Sequence, residues 1–280
     1  NGNNESFKDV HIASGSTTKN ITSSIKGGEL RGYLDMRDTE VESILDKMNI
    51  LSGSFIQEFN SIHRKGFGID GSSGLDFFTP MDVTVKHDVD NTGTTVVKMT
   101  NASPTTISVD EFEMEFTGLN SFILNNLTTN ASSGTFTFTT GSTFNIKDSF
   151  AVSISGAAIS GDKVKFSVSE NAASLISVSS TITADGQKIA AGTTTSGDGG
   201  NALLMANIQN ELAFNSVTWS SGNGSFTFDE YYNAIVSTIG IESFSAQATL
   251  RQQEGVMLQL NSRRESISGV SIDEEMIKMI

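Results

Sequence analysis

The hydrophobic period of this chain changes twice along its length, and that change restricts what it can fold into more than any other feature. From Val41 onward Val41, Ile44, Leu45, Met48, Leu51, Phe55, Phe59 and Ile62 recur at three- and four-residue steps, the spacing that draws one apolar stripe down a helix. Asp38 or Thr39 is expected to cap its start; Glu40 and Glu42 suit its positive end, Arg64 and Lys65 its negative end, and Gly66 is placed to stop it. Such a helix is roughly 39 Å long. Its stripe contributes on the order of 12–24 kcal/mol gross when buried, before ordering entropy is subtracted, so it requires helical partners.

After Pro80 the dominant period becomes two. Glu111–Phe116 alternates carboxylates with Phe112, Met114 and Phe116, which predicts a strand with an apolar inner face and a solvated outer face. Further strands are expected at 83–87, 94–100, 105–109, 121–127, 135–139, 148–155, 163–169 and 175–183, the spacing of an antiparallel sandwich or barrel. Thr193–Gly200 reads as a linker. Helical spacing then resumes, first with Leu203, Leu204, Ile208 and Leu212 on a short helix. After a break at Ser220–Gly224, a helix of roughly 60 Å is expected from Phe228 to about Ser268. Its heptad row is Tyr232, Val236, Ile239, Ala246, Leu250, Met257, Leu260 and Ile267, interrupted by Ser243, Gln253 and Arg264. Gly240 and Gly255 each cost about 1 kcal/mol relative to Ala, so this helix also depends on partners.

Helix, sheet and helix along one chain predict an α+β fold in which a β domain is inserted into a helical one. The helical domain takes 1–79 and 200–280, with a small strand or hairpin region near 6–34, and the β domain takes 80–199. The two long helices are expected to lie antiparallel, side by side. Candidate helix-packing or subunit-interface residues are Val41, Leu45, Met48, Phe55, Phe59, Ile62, Tyr232, Ile239, Leu250, Met257 and Leu260.

Composition excludes several function classes. With 32 acidic against 18 basic residues the formal charge is −14, and a nucleic-acid backbone or an anionic membrane repels most of such a surface. No cysteine is present, which removes disulfides, zinc thiolates and thiol nucleophiles. No apolar run approaches the roughly 18 residues of a membrane span. Asn1 has no initiator Met or signal peptide before it, and Ser271–Glu274 is a capping-box pattern with only about two turns after it, so a fragment lacking further helix is expected.

Motifs that suggest chemistry fail their context. Gly66, Gly68 and Gly71 have the spacing of a dinucleotide loop, but a helix precedes them and β texture follows, the reverse of what a pyrophosphate site needs. Asp88–Gly93 resembles the start of a calcium loop, yet its twelfth position is Met99, and a hairpin turn is the expected reading. His11, His63 and His87 are scattered and expected at the surface or a helix edge. Glu111, Glu113 and Glu115 read as a solvated strand face rather than an acid/base pair. Trp219, Tyr231 and Tyr232 read as packing anchors. No catalytic residue, cofactor or metal is expected.

Three stretches carry a resemblance. GGELRGYLDMRD (27–38) with FNSIHRKGFGIDGSSGLDFF (59–78), GNALLMANIQNELAF (200–214) and LNSRRESISGVSIDEEM (260–276) are similar to segments of the flagellar hook-associated family called FlgK. The resemblance implies an extracellular structural component of the hook–filament junction, exported through the flagellar type III channel, with residues 80–199 as its variable insert. It implies self-assembly of the full-length protein, contacts with hook protein and the second hook-associated protein, and an export chaperone bound to a C-terminal region absent here. The terminal helices of that family are missing, so this chain is expected to be monomeric. Gly66, Gly68, Gly71, Gly74, Gly197, Gly199 and Gly200 are candidate hinges at the two connections to the β domain. The alternative from another class is a surface adhesin or glycan-binding β module. It would need a concave aromatic patch, but Trp219, Tyr33, Tyr231 and Tyr232 all lie outside 80–199.

Overall fold

A computed structural model describes residues 8–102, 107–147, 149–194, 197–215, 218–219, 224–269, 276, 277 and 279. The Ser271–Glu274 capping pattern and the first two residues of the strand expected at 105–109 lie outside these. Residues up to Tyr232 form one compact unit and those from Asn233 another.

The first unit opens with a hairpin, β1 (His11–Ser14) and β2 (Thr17–Asn20), turned at Gly15 with φ 62°. Helix α1 (Glu29–Asp35) follows, entered from Gly28 at φ 81°. It continues through a π-helical turn, Met36–Glu40, into α2 (Val41–His63), and Asp35, Glu40 and Val41 all keep right-handed helical angles. The cap expected at Asp38 or Thr39 is therefore not a helix start. Both residues lie inside the π turn, where the backbone ladder absorbs an extra residue without breaking.

The sandwich is built from β3 (Thr84–His87), β4 (Val96–Asn101), β5 (Phe112–Gly118), β6 (Ser121–Asn126), β7 (Ala131–Thr137), β8 (Thr143–Ile146), β9 (Phe150–Ser155) and β10 (Lys163–Ser167). Five strands pair antiparallel in the order β3-β10-β5-β6-β7, and three in the order β4-β9-β8. Phe112, Met114 and Phe116 of β5 share one buried core with Phe122 and Leu124 of β6, Val164 and Phe166 of β10, and Val97, Phe150, Val152 and Ile154 of the smaller sheet. Aromatic contacts lock the two sheets face to face: Phe112 and Phe166 lie 5.8 and 5.1 Å from Phe150.

Four sequence expectations change here. Of the strand expected at 105–109, the described residues 107–109 are not in a strand. Residues 175–183 do not form a strand of the sandwich. Asn171, at φ 61°, turns the chain into α3 (Ala172–Leu175), and α4 (Ser180–Ala184) follows. Only Ser177–Ser179 stays extended, because it pairs with Phe77–Thr79 instead of with the sheet. Strand β8 was hidden by its brevity. The Asp88–Gly93 turn is not a hairpin, since β3 pairs in one sheet and β4 in the other.

That turn is organised by Asp162, which is buried. Its Oδ1 accepts the N–H of Thr92 at 2.8 Å, and its Oδ2 accepts those of Gly93 at 3.1 Å and Ile159 at 3.0 Å. Asn91 adds a two-way bond to the backbone of Lys163, at 2.7 Å each way. Burial opposes the charge on Asp162, but the hydrogen bonds from Thr92, Ile159 and Gly93 outweigh it and hold the carboxyl below its ordinary range.

The second unit consists of helix α6 (Phe228–Ser268) from Asn233 on, over the bounds expected from its heptads. The start of α6, within the first unit, is a capping box: the Thr227 N–H donates to Glu230 Oε2 at 2.8 Å, and the Glu230 N–H to Thr227 Oγ1 at 3.2 Å.

Replacing Asp162 with Ala removes the acceptor of three part-buried N–H groups and is expected to cost on the order of 2 kcal/mol. Because the folded pKa lies below the unfolded one, the contribution of Asp162 is full above about pH 4 and is lost on acidification through the folded value. Urea titrations of wild type and D162A should therefore converge as pH falls; a constant gap down to acid pH would contradict the assignment.

Candidate assembly surfaces and the joint at the helix end

The stripe on α2 divides in two. Val41 and Leu45 are exposed, while Met48, Phe55, Phe59 and Ile62 are half-buried. Phe55 and Phe59 sit 5.7 Å apart in a ring cluster with Phe77 and Phe78. The first turn of α6 adds to it, with Phe228 at 5.8 Å from Phe55 and Tyr231 stacked on Phe214 at 4.3 Å. Burial pushes the Tyr231 hydroxyl up to about 12.

The fully buried face of α2 is unexpectedly polar. Ser54, Gln57, Glu58, Asn60 and His63 are all buried there beside Ile56. Asn60 mimics a backbone unit, donating to Phe78 O at 3.0 Å and accepting the Phe78 N–H at 2.8 Å. His63, expected near the surface, is fully enclosed. Its Nε2 accepts the Ala190 N–H at 2.9 Å, so the proton sits on Nδ1 and donates to Leu75 O at 2.7 Å. The Asn201 amide then donates to Ala190 O at 2.7 Å and to Ile62 O at 3.2 Å. One imidazole and two amides thus tie the end of α2 to the outgoing chain (67–79), the returning chain (176–192) and α5 (Gly200–Asn207).

Further backbone bonds cross the two connections that carry the hinge candidates. Phe67 and Gly192 exchange both backbone bonds, at 2.8 and 3.0 Å, and Ile69 donates to Gln187 O at 2.8 Å. Gly66 and Gly68 are buried, and a Cβ on Gly66 would collide with the Asn201 amide, so these glycines serve close approach rather than freedom. Gly71, Gly74, Gly197 and Gly199 have positive φ. Asp198 closes the return, accepting the N–H groups of Thr193, Thr194 and Gly200 at 2.8–3.0 Å.

A second contact sets α2 against the sandwich. Gly53 faces Ser169 and Met81 closely, and Asn49 Oδ1 accepts the Ala173 N–H at 3.1 Å. Lys86 pairs with Glu170 at 2.7 Å beside it. Glu111 is half-buried and its carboxyl is raised by burial, with Asp46 and Glu170 adding repulsion and Lys165 and Lys86 opposing it. The alternating carboxylates of β5 are therefore only partly solvated: Glu113 is buried and pairs with Lys163 at 3.2 Å.

On α6 the interface candidates Tyr232, Ile239, Leu250, Met257 and Leu260 are exposed, the last three more than half. The leucines of α5 do not share a buried face: Leu203, Leu204 and Leu212 are exposed and only Ile208 is buried. Trp219 lies on β12 (Thr218–Trp219), paired with β11 (Phe214–Asn215), and its side chain is outside the described residues. Among the described residues no group of three His, Asp or Glu side chains is placed to hold a metal ion. No described helix is long and apolar enough to cross a membrane. The signal for the joint was present in the chain as Asn60-x-x-His63 beside a glycine pair, but nothing local distinguishes it from a solvated helix edge.

The described features are a long helix, an inserted β-sandwich and exposed apolar helical faces. Residues 1–78 match the family model described as the flagellar hook-associated protein FlgK helical domain. Flagellar hook-associated protein 1 of Escherichia coli K12 is 26% identical over 249 residues, covering 89% of this chain and 44% of that protein. Its Salmonella typhimurium counterpart is 25% identical over 260 residues, with the same shares covered. The flagellar hook junction protein FlgK from Burkholderia pseudomallei has the same fold, with a TM-score of 0.68 at 16% identity over 92% of this chain and 66% of that one. The chain is similar to flagellar hook-associated protein 1 and spans less than half the length of the curated relatives it matches.

Replacing His63 with Ala should cost roughly 2–4 kcal/mol, since it orphans Ala190 N–H and Leu75 O and leaves a cavity. Chemical denaturation measures it, and a loss below about 1 kcal/mol would mean the joint does not depend on the ring. Glu111→Gln should act in the opposite direction. A carboxyl raised by burial stabilises fully below its unfolded pKa of about 4.3, and that stability is lost as pH rises through the folded value. The amide variant is therefore expected to be more stable than wild type at pH 7 and no different near pH 4, as read by thermal unfolding at both.

Proposed function

We propose that this chain is part of an exported axial protein that joins hook to filament in a bacterial flagellum. The match of residues 1–78 to the FlgK helical domain supports the reading most strongly. Physical features agree with it. The α6 helix carries Ile239, Leu250, Met257 and Leu260 exposed over most of its length, and an exposed apolar row on a helix is a surface for other helices. In the tube, α1–α2 and α6 form the wall with helical regions of the full-length protein and its neighbours, and load passes through packed side chains. The sandwich projects outward, carried on the His63 joint, which transmits orientation because its buried polar groups are satisfied in one arrangement only. Partners on this reading are further copies, hook protein on one side and the second hook-associated protein on the other. Export proceeds by the flagellar type III route with a chaperone on the C-terminal region, and the working location is extracellular.

The full-length gene carrying Leu250→Asp and Leu260→Asp should fail to restore filament attachment and motility in a strain lacking its junction protein, while the wild-type gene restores both. Secretion of the variant into the medium is the control, and a motile variant strain would refute the wall assignment. The isolated chain is expected to scatter light as a single 29.8 kDa species at about 10 μM. A stable ring at that concentration would contradict this.

A further inference from the structure

We propose that the helix running from α1 into α2 is a two-register element, with the π turn at Met36–Glu40 as its resting register and an unbroken α-helix as the other. The sequence argues for the second register. Leu30, Leu34, Arg37, Val41, Leu45 and Met48 follow one another at three- and four-residue steps, and at about 100° per residue they fall within roughly 80° of one another on an α-helix. The structure breaks that row. The Val41 N–H donates to Met36 O, the five-residue step of a π turn, so one extra residue is taken up between Leu34 and Val41. Its uptake turns Leu30 and Leu34 by about 100° away from Val41, Leu45 and Met48.

Two features hold the resting register. Leu34 is buried, while Leu30, Tyr33, Met36, Val41 and Leu45 are exposed. Arg37, the polar member of the row, donates from Nη1 to Lys8 O at 3.0 Å and from Nε to the carboxylate of Asp38. Turning α1 back into line with α2 uncovers Leu34 and swings Arg37 away from Lys8, so both features favour the π turn. The C-terminal end of α2 is fixed by the His63 joint, and a change of register therefore moves the N-terminal side. That side can swivel: Gly27 and Gly28, which lead into α1, have open space where a Cβ would stand, and Gly28 has φ 81°.

The balance turns on whether the row is covered. In the free chain the unbroken register leaves Leu30, Leu34, Val41 and Leu45 in water together, and the burial of Leu34 decides for the π turn. A straight helix laid along the row covers all of it in the unbroken register and only one part of it in the split one. Covering therefore draws the chain into the α register, which rotates α1 by about 100° and advances it by about 1.5 Å relative to α2. That the covering helix belongs to the flagellar wall rests on the function proposed for the chain. The two registers do not, and they are tested on the chain alone.

Backbone NMR spectra of the 280-residue chain test the proposal through two changes. Arg37→Leu removes the hold on Lys8 and completes the apolar row. Losing a hydrogen bond from a charged group should shift the ratio of the registers toward the α form by roughly tenfold or more. The amide signals of α1, from Glu29 to Asp35, should then move, and those from Leu51 to His63 should keep their positions. Arg37→Met should act in the same way. Deleting Thr39, which is exposed within the π turn, takes out the extra residue with both flanks in place. That deletion should keep the wild-type melting temperature to within a few degrees, and in its background Arg37→Leu should move the signals of Lys8 and Asp38 but not those of α1. Three results would each overturn the two registers: α1 signals unmoved by both Arg37 variants, α1 signals that move equally after Thr39 is deleted, or a melting temperature more than about 10 °C lower on deletion.

Discussion

The structure depends on how the end of α2 is sealed. A helix C-terminus leaves carbonyls without partners, and here two connecting chains also converge on it with their own backbone groups to satisfy. Asn60, His63 and Asn201 answer that demand together. Asn60 pairs with Phe78, His63 bridges Leu75 and Ala190, and Asn201 joins Ala190 to Ile62. In a dry site each of these bonds is worth more than at the surface, and each orphaned partner costs more. The sandwich therefore has one position on α2, not a range of them.

A glycine beside such a site has a steric role. Gly66 lies against the Asn201 amide and the Ala190 carbonyl with no room for a Cβ, so the residue that ends the helix also admits the returning chain. The same economy appears at the far corner of the sandwich. There Asp162 gathers three N–H groups from the β3–β4 crossing and from the turn before β10. Both of these connections are organised by buried polar side chains, while the interior between the sheets is almost wholly apolar and rich in phenylalanine.

The joint also bears on how such a protein carries load. Loose glycine linkers would let the sandwich swing independently of the helix. Cross-bonded connections hold the sandwich to the end of α2. Ile239, Leu250, Met257 and Leu260 are exposed along α6.

Periodicity alone revealed the order of helix, sheet and helix, the bounds of α6 and most strands of the sandwich, because a stripe or an alternation is a local property of consecutive residues. The likeness of 27–78 and 200–276 to FlgK was equally legible, carried by combinations of residues and not by any chemical group. Tertiary structure decided what lies across the chain. It ran α1 into α2 through a π turn past a plausible cap at Asp38, turned 175–183 away from the sheet, and enclosed a histidine that local sequence assigns to the surface. His63 and Ala190 are far apart along the chain, and no window on either can register that the other completes its hydrogen bond.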